Sequence, residues 1–137
     1  MKTKAIIISI NGLALNKKEK KILLDNKPWG LILFKRNIKS LKQVKSLITN
    51  IRQITKDKYF PILIDEEGGT VTRISRIINH DLYQKLFGDI FKFNSKVSTK
   101  IYKEYLLNLI KFLKNIGVNI NTVPVLDVLR KDTNKII

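Results

Sequence analysis

The residues best suited to chemistry lie in one short stretch, Ile64-Asp65-Glu66-Glu67-Gly68-Gly69, with Arg73 following closely. An ionised carboxylate accepts two hydrogen bonds at once, so Asp65, at the end of an apolar run, is suited to hold a pair of hydroxyls. Arg73 offers a planar fork of donors that fits hydroxyl and carbonyl acceptors. Glu66 and Glu67 invite reading as an acid–base pair. Adjacent residues of a strand point to opposite faces, however, so on that geometry the two cannot flank one bond. Glu67 is expected in a buried ion pair, and Gly68-Gly69 in a tight turn with unusual φ. His80 is the only histidine, with Asp81 beside it, and reads as a surface or loop residue. The chain has no cysteine, which excludes disulfides and thiolate metal sites and agrees with a reducing compartment.

The elements that must position these residues follow from the hydrophobic pattern. Ala5 to Ile10 is a short β-branched run, read as a strand rather than a leader because Asn11-Gly12 interrupts it and no small-residue cleavage site follows. Asn16 and Glu19 have capping-box spacing ahead of Ile22-Leu23-Leu24, and Asn26, Pro28 and Gly30 end that helix. Gly30 to Phe34 is a second strand, apolar on both faces, as parallel strands covered on both sides are. Ser40 and Gln43 open the next helix, in which Leu41, Val44, Leu47, Ile48 and Ile51 form one buried face. Pro61 to Asp65 is a third strand ending in charge. Thr70 to Asn94 is expected to be irregular, with short helical pieces at most. A longer helix runs from about Ser95 to Asn115 and closes on Gly117. Val118 to Val128 is the fourth expected strand. Alternation at this spacing argues for an α/β fold of parallel strands with right-handed crossovers. The pattern alone does not separate a barrel from an open doubly wound sheet. No Gly-x-Gly-x-x-Gly or Walker loop follows any strand, which lowers the case for nucleotide binding.

Hydrophobic residues make up 44% of the 137, enough for one modest domain with a real core. The net charge is +16, from 27 Lys and Arg against 11 Asp and Glu. That balance raises a basic polyanion- or nucleic-acid-binding protein as one reading. The lysines are spread along every segment and are not interleaved with aromatics, so they support only nonspecific attraction. The richness in Lys, Ile and Asn is what AT-rich codons favour. No segment is long enough to span a membrane.

Three segments, taken in order, are specific: Gly30-Leu31-Ile32-Leu33-Phe34-Lys35-Arg36-Asn37, then Ile64 to Gly69 with Val71 and Arg73, then Gly117-Val118-Asn119-Ile120-Asn121 leading into Pro124-Val125-Leu126-Asp127-Val128. Their order and spacing resemble family 3 glycoside hydrolases. The Asp-x-Glu-Gly-Gly form is similar to the β-N-acetylglucosaminidase branch, within the β-N-acetylhexosaminidases. The resemblance implies the N-terminal half of a (β/α)8 TIM-type barrel, truncated, with residues 1–137 forming one partial domain; a complete barrel typically takes about 250 residues. It implies retaining hydrolysis of terminal β-linked N-acetylglucosamine through a glycosyl-enzyme on aspartate. The setting would be turnover of cell-wall muropeptide sugars in the bacterial cytoplasm, with no metal or organic cofactor.

By the same resemblance, Asp65 and Arg73 bind the sugar. Arg36, Asn37, Glu67, Gly68 and Gly69 support the site, and Asp127 shapes a loop at a strand end. The family's acid/base His, its nucleophilic Asp and a Gly-x-Arg-Ser segment are expected beyond Ile137, and nothing around His80 matches the His-bearing loop. The chain alone is therefore expected to be inactive. Non-catalytic sugar binding, or pairing with a complementary C-terminal half, stands as the alternative. An open half-barrel exposes two strand edges and is expected to aggregate, dimerise or stay partly molten unless covered.

Overall fold

The computed structural model describes residues 2–79 and 81–126. Strand β1 spans Lys4–Ile8, helix α1 Lys17–Asn26, strand β2 Pro28–Leu33 and helix α2 Leu41–Thr55. Strand β3 spans Ile62–Ile64, helix α3 Gln84–Phe93, helix α4 Ser95–Ile116 and strand β4 Ile120–Asn121. A single 3-10 turn, Lys35–Asn37, follows β2.

Local chemistry sets the helix starts. The Asn16 side chain accepts from the Glu19 amide, and Glu19 accepts in return from the Asn16 amide, which completes a capping box. The second oxygen of Glu19 takes the Asn11 amide at 2.9 Å, so the same carboxylate also fixes the chain leaving β1. Ser40 caps α2 by accepting from Gln43. The Gln43 side chain accepts from Lys39 rather than from the cap itself, and its amide nitrogen donates to Leu13 and Asn37 carbonyls. Asn94 ends α3 and caps α4 through the Val97 amide. Gly117 ends α4 at φ 98°, where a side chain would be strained, and a Cβ there would meet the Ile48 side chain at 2.9 Å.

All four strands are parallel, and their order in the sheet equals their order in the chain, β1-β2-β3-β4. A doubly wound sheet reverses strand order at a switch point and carries helices on both faces. With no reversal, right-handed crossovers put every helix on one side. Helix α2 accordingly packs against α1 and α4. The core lies between this layer and the sheet, with Leu31, Leu33, Val44, Ile48, Ile51, Ile62 and Ile64 almost wholly buried. The sheet is not closed among the described residues. Its outer strand β1 is mostly exposed, Ile6 at 45% and Ile7 at 47%.

Several sequence expectations change. Helix α3 occupies part of the stretch expected to be irregular. Its N-cap, Tyr83, makes no side-chain hydrogen bond, Gly88 lies inside it, and Phe87, Phe91 and Phe93 are modest helix formers, so local signals are poor. Packing supplies what propensity lacks: Phe87 is buried against Tyr102 and Tyr105 of α4, and the Ser98 hydroxyl donates to the Phe87 carbonyl. Strand β4 is two residues, not the long strand expected, and the remainder of that expected strand from Asp127 onward lies outside the described residues. Strand β2 begins earlier, at Pro28, a position where a missing amide is tolerated. Leu41 stands 38% exposed, outside the buried stripe of α2.

Candidate functional site at the carboxyl end of the sheet

Asp65 directly follows β3, at the carboxyl end of the sheet. Its Oδ1 accepts from the Thr122 hydroxyl at 2.5 Å, and its Oδ2 faces Arg73 Nη2 at 3.4 Å. Both members of the Asp65–Arg73 pair keep 25% of their side-chain surface in solvent. Each carboxylate oxygen has two lone pairs, so one acceptor position on each remains for a ligand. The sequence-derived pair is thus brought together in space.

The loop that returns Arg73 to Asp65 is built on Glu66. This side chain is 1% exposed, and its Oε2 accepts from the amides of Arg73 at 2.7 Å and Ile74 at 3.1 Å. The intervening turn is closed by Glu67 and Val71, whose amides donate to the Val71 and Gly68 carbonyls. Gly68 and Gly69 take φ of 83° and 58°, and a Cβ on Gly69 would press on Tyr83 at 3.1 Å.

The buried carboxylate is Glu66, not Glu67 as expected. The alternation argument for these two residues also fails, because β3 ends at Ile64 and both lie in the loop. Glu67 is half-buried and lines a small cavity with Glu66, Gln84, Tyr102, Tyr105 and Val123. Burial, with a smaller contribution from the negative charge of Glu66, pushes the Tyr105 phenol up to about 12.

Asparagine side chains splice the short β4 to β3. Asn119 accepts from the Ile62 amide at 2.7 Å and donates to the Tyr59 and Phe60 carbonyls. Asn121 accepts from the Glu66 amide at 3.0 Å and donates to the Glu66 carbonyl at 3.2 Å. At the same carboxyl end, on the β1 side of the sheet, Asn37 is fully buried. It donates to the Ile10 and Gly12 carbonyls and accepts from the Phe34 amide. Arg36 donates to the Ile10 carbonyl and the Ser9 hydroxyl. These two residues bind the end of β2 to the chain leaving β1, and neither touches Asp65 by hydrogen bond. His80 and Asp127 lie outside the described residues. Among the described residues, no group of three or more His, Asp or Glu side chains could hold a metal ion. No helix there is long and apolar enough to cross a membrane.

Sequence reasoning missed Glu66, Asn121 and Thr122 as site-building residues. The two asparagines stand two apart in an otherwise apolar β segment, and that alternation is the one signal that could have found Asn121.

No family model matches the chain. Curated relatives do. The beta-hexosaminidase of Hydrogenovibrio crunogenus is 30% identical over 122 residues, covering 89% of this chain and 34% of that protein. The beta-hexosaminidase of Neisseria gonorrhoeae is 28% identical over 123 residues, covering 89% and 34%. Among solved structures, NagZ from Neisseria gonorrhoeae in complex with N-trifluoroacetyl-D-glucosamine superposes with a TM-score of 0.81 at 28% identity, covering 92% of this chain and 37% of that one. A family 3 β-N-acetylglucosaminidase from Paenibacillus sp. str. FPU-7 shares the fold at a TM-score of 0.72 and 24% identity. The parallel sheet with alternating helices is that of the N-terminal α/β domain of these enzymes. Over this region the chain is similar to beta-hexosaminidases of the family 3 glycoside hydrolase type. It spans about a third of the length of the relatives it matches, rather than the half expected from its elements.

Proposed function

We propose that this chain supplies part of the sugar-binding wall of a β-N-acetylhexosaminidase acting on terminal β-linked N-acetylglucosamine. The observation that carries the reading is the partly exposed Asp65–Arg73 pair at the carboxyl end of a parallel sheet, where enzymes of barrel architecture place their sites. On this reading Asp65 takes two hydroxyls of the terminal sugar on its free lone pairs. Arg73 donates from its planar fork to a neighbouring hydroxyl or carbonyl oxygen. Arg36, Asn37 and the Gly68-Gly69 turn hold the backbone beneath. The acid/base and the nucleophile of the retaining mechanism come from polypeptide outside these 137 residues, which would also close the barrel. The cellular setting is turnover of muropeptide sugars in the cytoplasm.

The test is titration of the chain with N-acetylglucosamine, followed by backbone amide shifts. Saturable shifts around residues 65–73, abolished by Asp65→Ala, support the reading. Shifts elsewhere, or none at millimolar sugar, refute it. The chain alone should release no N-acetylglucosamine from a chromogenic glycoside. Release by the purified chain would show that the chemistry is contained within it.

A further inference from the structure

Phe34 stands at the carboxyl end of β2, between the two arginines of this edge. The guanidinium carbon of Arg36 lies 4.6 Å from the centre of its ring, and that of Arg73 lies 5.5 Å from the same centre. Both are within the roughly 6 Å over which an aromatic face attracts a cation. Arg36 is held from behind by the Ile10 carbonyl and the Ser9 hydroxyl, so it is a fixed partner of the ring. Arg73 is held less firmly. Its amide is anchored on Glu66, but the hydrogen bond of its guanidinium to Asp65 is 3.4 Å, longer than an ordinary charge-assisted bond.

The contacts form one belt across the carboxyl edge of all four strands. It runs from Ser9 and Ile10 after β1, through Arg36 and Phe34 after β2, through Arg73 and Asp65 after β3, to Thr122 after β4.

We infer that Phe34 is a positioning residue for Arg73, its ring face setting the plane of the guanidinium so that the N–H edge stays aimed at Asp65 and at a ligand bound there. A guanidinium lying on a ring keeps its in-plane donors free, so the ring can fix orientation without consuming hydrogen bonds. The ligand part of this inference rests on the reading of Asp65 and Arg73 as sugar contacts.

Arginine side-chain NMR on the ligand-free chain tests the positioning by itself. The Arg73 side-chain protons should be displaced upfield by the ring current, and Phe34→Leu should remove that displacement while Phe34→Tyr keeps it. N-acetylglucosamine affinity should weaken by roughly three- to tenfold in Phe34→Leu and recover in Phe34→Tyr. An unchanged Arg73 signal and unchanged affinity in Phe34→Leu overturn the inference. If Phe34→Leu does not fold, the wild-type spectrum decides, since Arg73 protons at ordinary positions overturn it equally. Should the wild-type chain bind no sugar while Arg73 still follows the ring, the sugar reading fails and the positioning stands.

Discussion

Removing the Glu66 carboxylate tests how the loop between Asp65 and Arg73 is held. Glu66 is 1% exposed and accepts two backbone amides on one oxygen. Glu66→Ala deletes both bonds and leaves two largely buried N–H groups without an acceptor. Each such loss costs about 1.5–2 kcal/mol, since the acceptor is charged and the donors stay desolvated. The sum is about 3–4 kcal/mol, or a fall in Tm of roughly 10 °C for a chain of this size. Glu66→Gln keeps the shape and can keep an amide oxygen in the place of Oε2, but it loses the charge and turns the other oxygen into a donor, so a smaller loss of about 1 kcal/mol is expected. Urea unfolding of the three proteins at neutral pH measures both differences. Equal losses for Gln and Ala would show that charge, not the acceptor geometry, holds the loop. A loss below about 1 kcal/mol for Ala would mean that water replaces the carboxylate, and the account of the loop would be wrong.

Gly117→Ala puts a methyl group at φ 98° and within 2.9 Å of Ile48, so a loss of about 1–3 kcal/mol is expected by thermal unfolding. Tyr105 has a folded pKa raised from 10.0 to about 12, so its contribution is complete below pH 10 and is lost as pH rises towards 12. Comparing wild type with Tyr105→Phe across that window isolates this effect from lysine titration, and the phenylalanine variant should lose less stability. Asn121→Asp keeps the acceptor for the Glu66 amide but replaces the donor to the Glu66 carbonyl with a carboxylate, so urea unfolding should show a loss of about 1–2 kcal/mol, and Asn121→Ser, too short for either bond, should lose at least as much. The exposed β1 edge should drive concentration-dependent self-association seen in sedimentation velocity, and Ile7→Lys should suppress it.

The elements with strong local punctuation were legible in the sequence. Asn16 with Glu19, Ser40 with Gln43, and Gly117 mark helix ends by side-chain chemistry that acts within a few residues. The Asp65–Arg73 pair was legible because motif spacing carried it. What escaped depends on long-range contact. Helix α3 is held by Phe87 against α4 and by Ser98, neither visible from the local pattern. That Glu66 is the more deeply buried of the two carboxylates depends on which one the loop turns inward, and that is set by where β3 stops. Thr122 meets Asp65 only because β4 lies beside β3, a pairing across 57 residues. The expected length of β4 was wrong because side-chain amides of Asn119 and Asn121 take over the bonding that a longer ladder would supply.

The coincidence of strand order and chain order has a consequence for synthesis on the ribosome. Each strand, on emerging, finds its hydrogen-bonding neighbour already made, so the sheet can grow by addition at one side without waiting for later sequence. Loop closure at each step spans a single crossover, which keeps its entropic cost low. Among these four strands, β1 keeps its outer edge open to water while β2, β3 and β4 are added. Within this stretch the β1 edge is therefore exposed to chaperone capture for longer than the edges of β2 and β3, each of which the next strand covers.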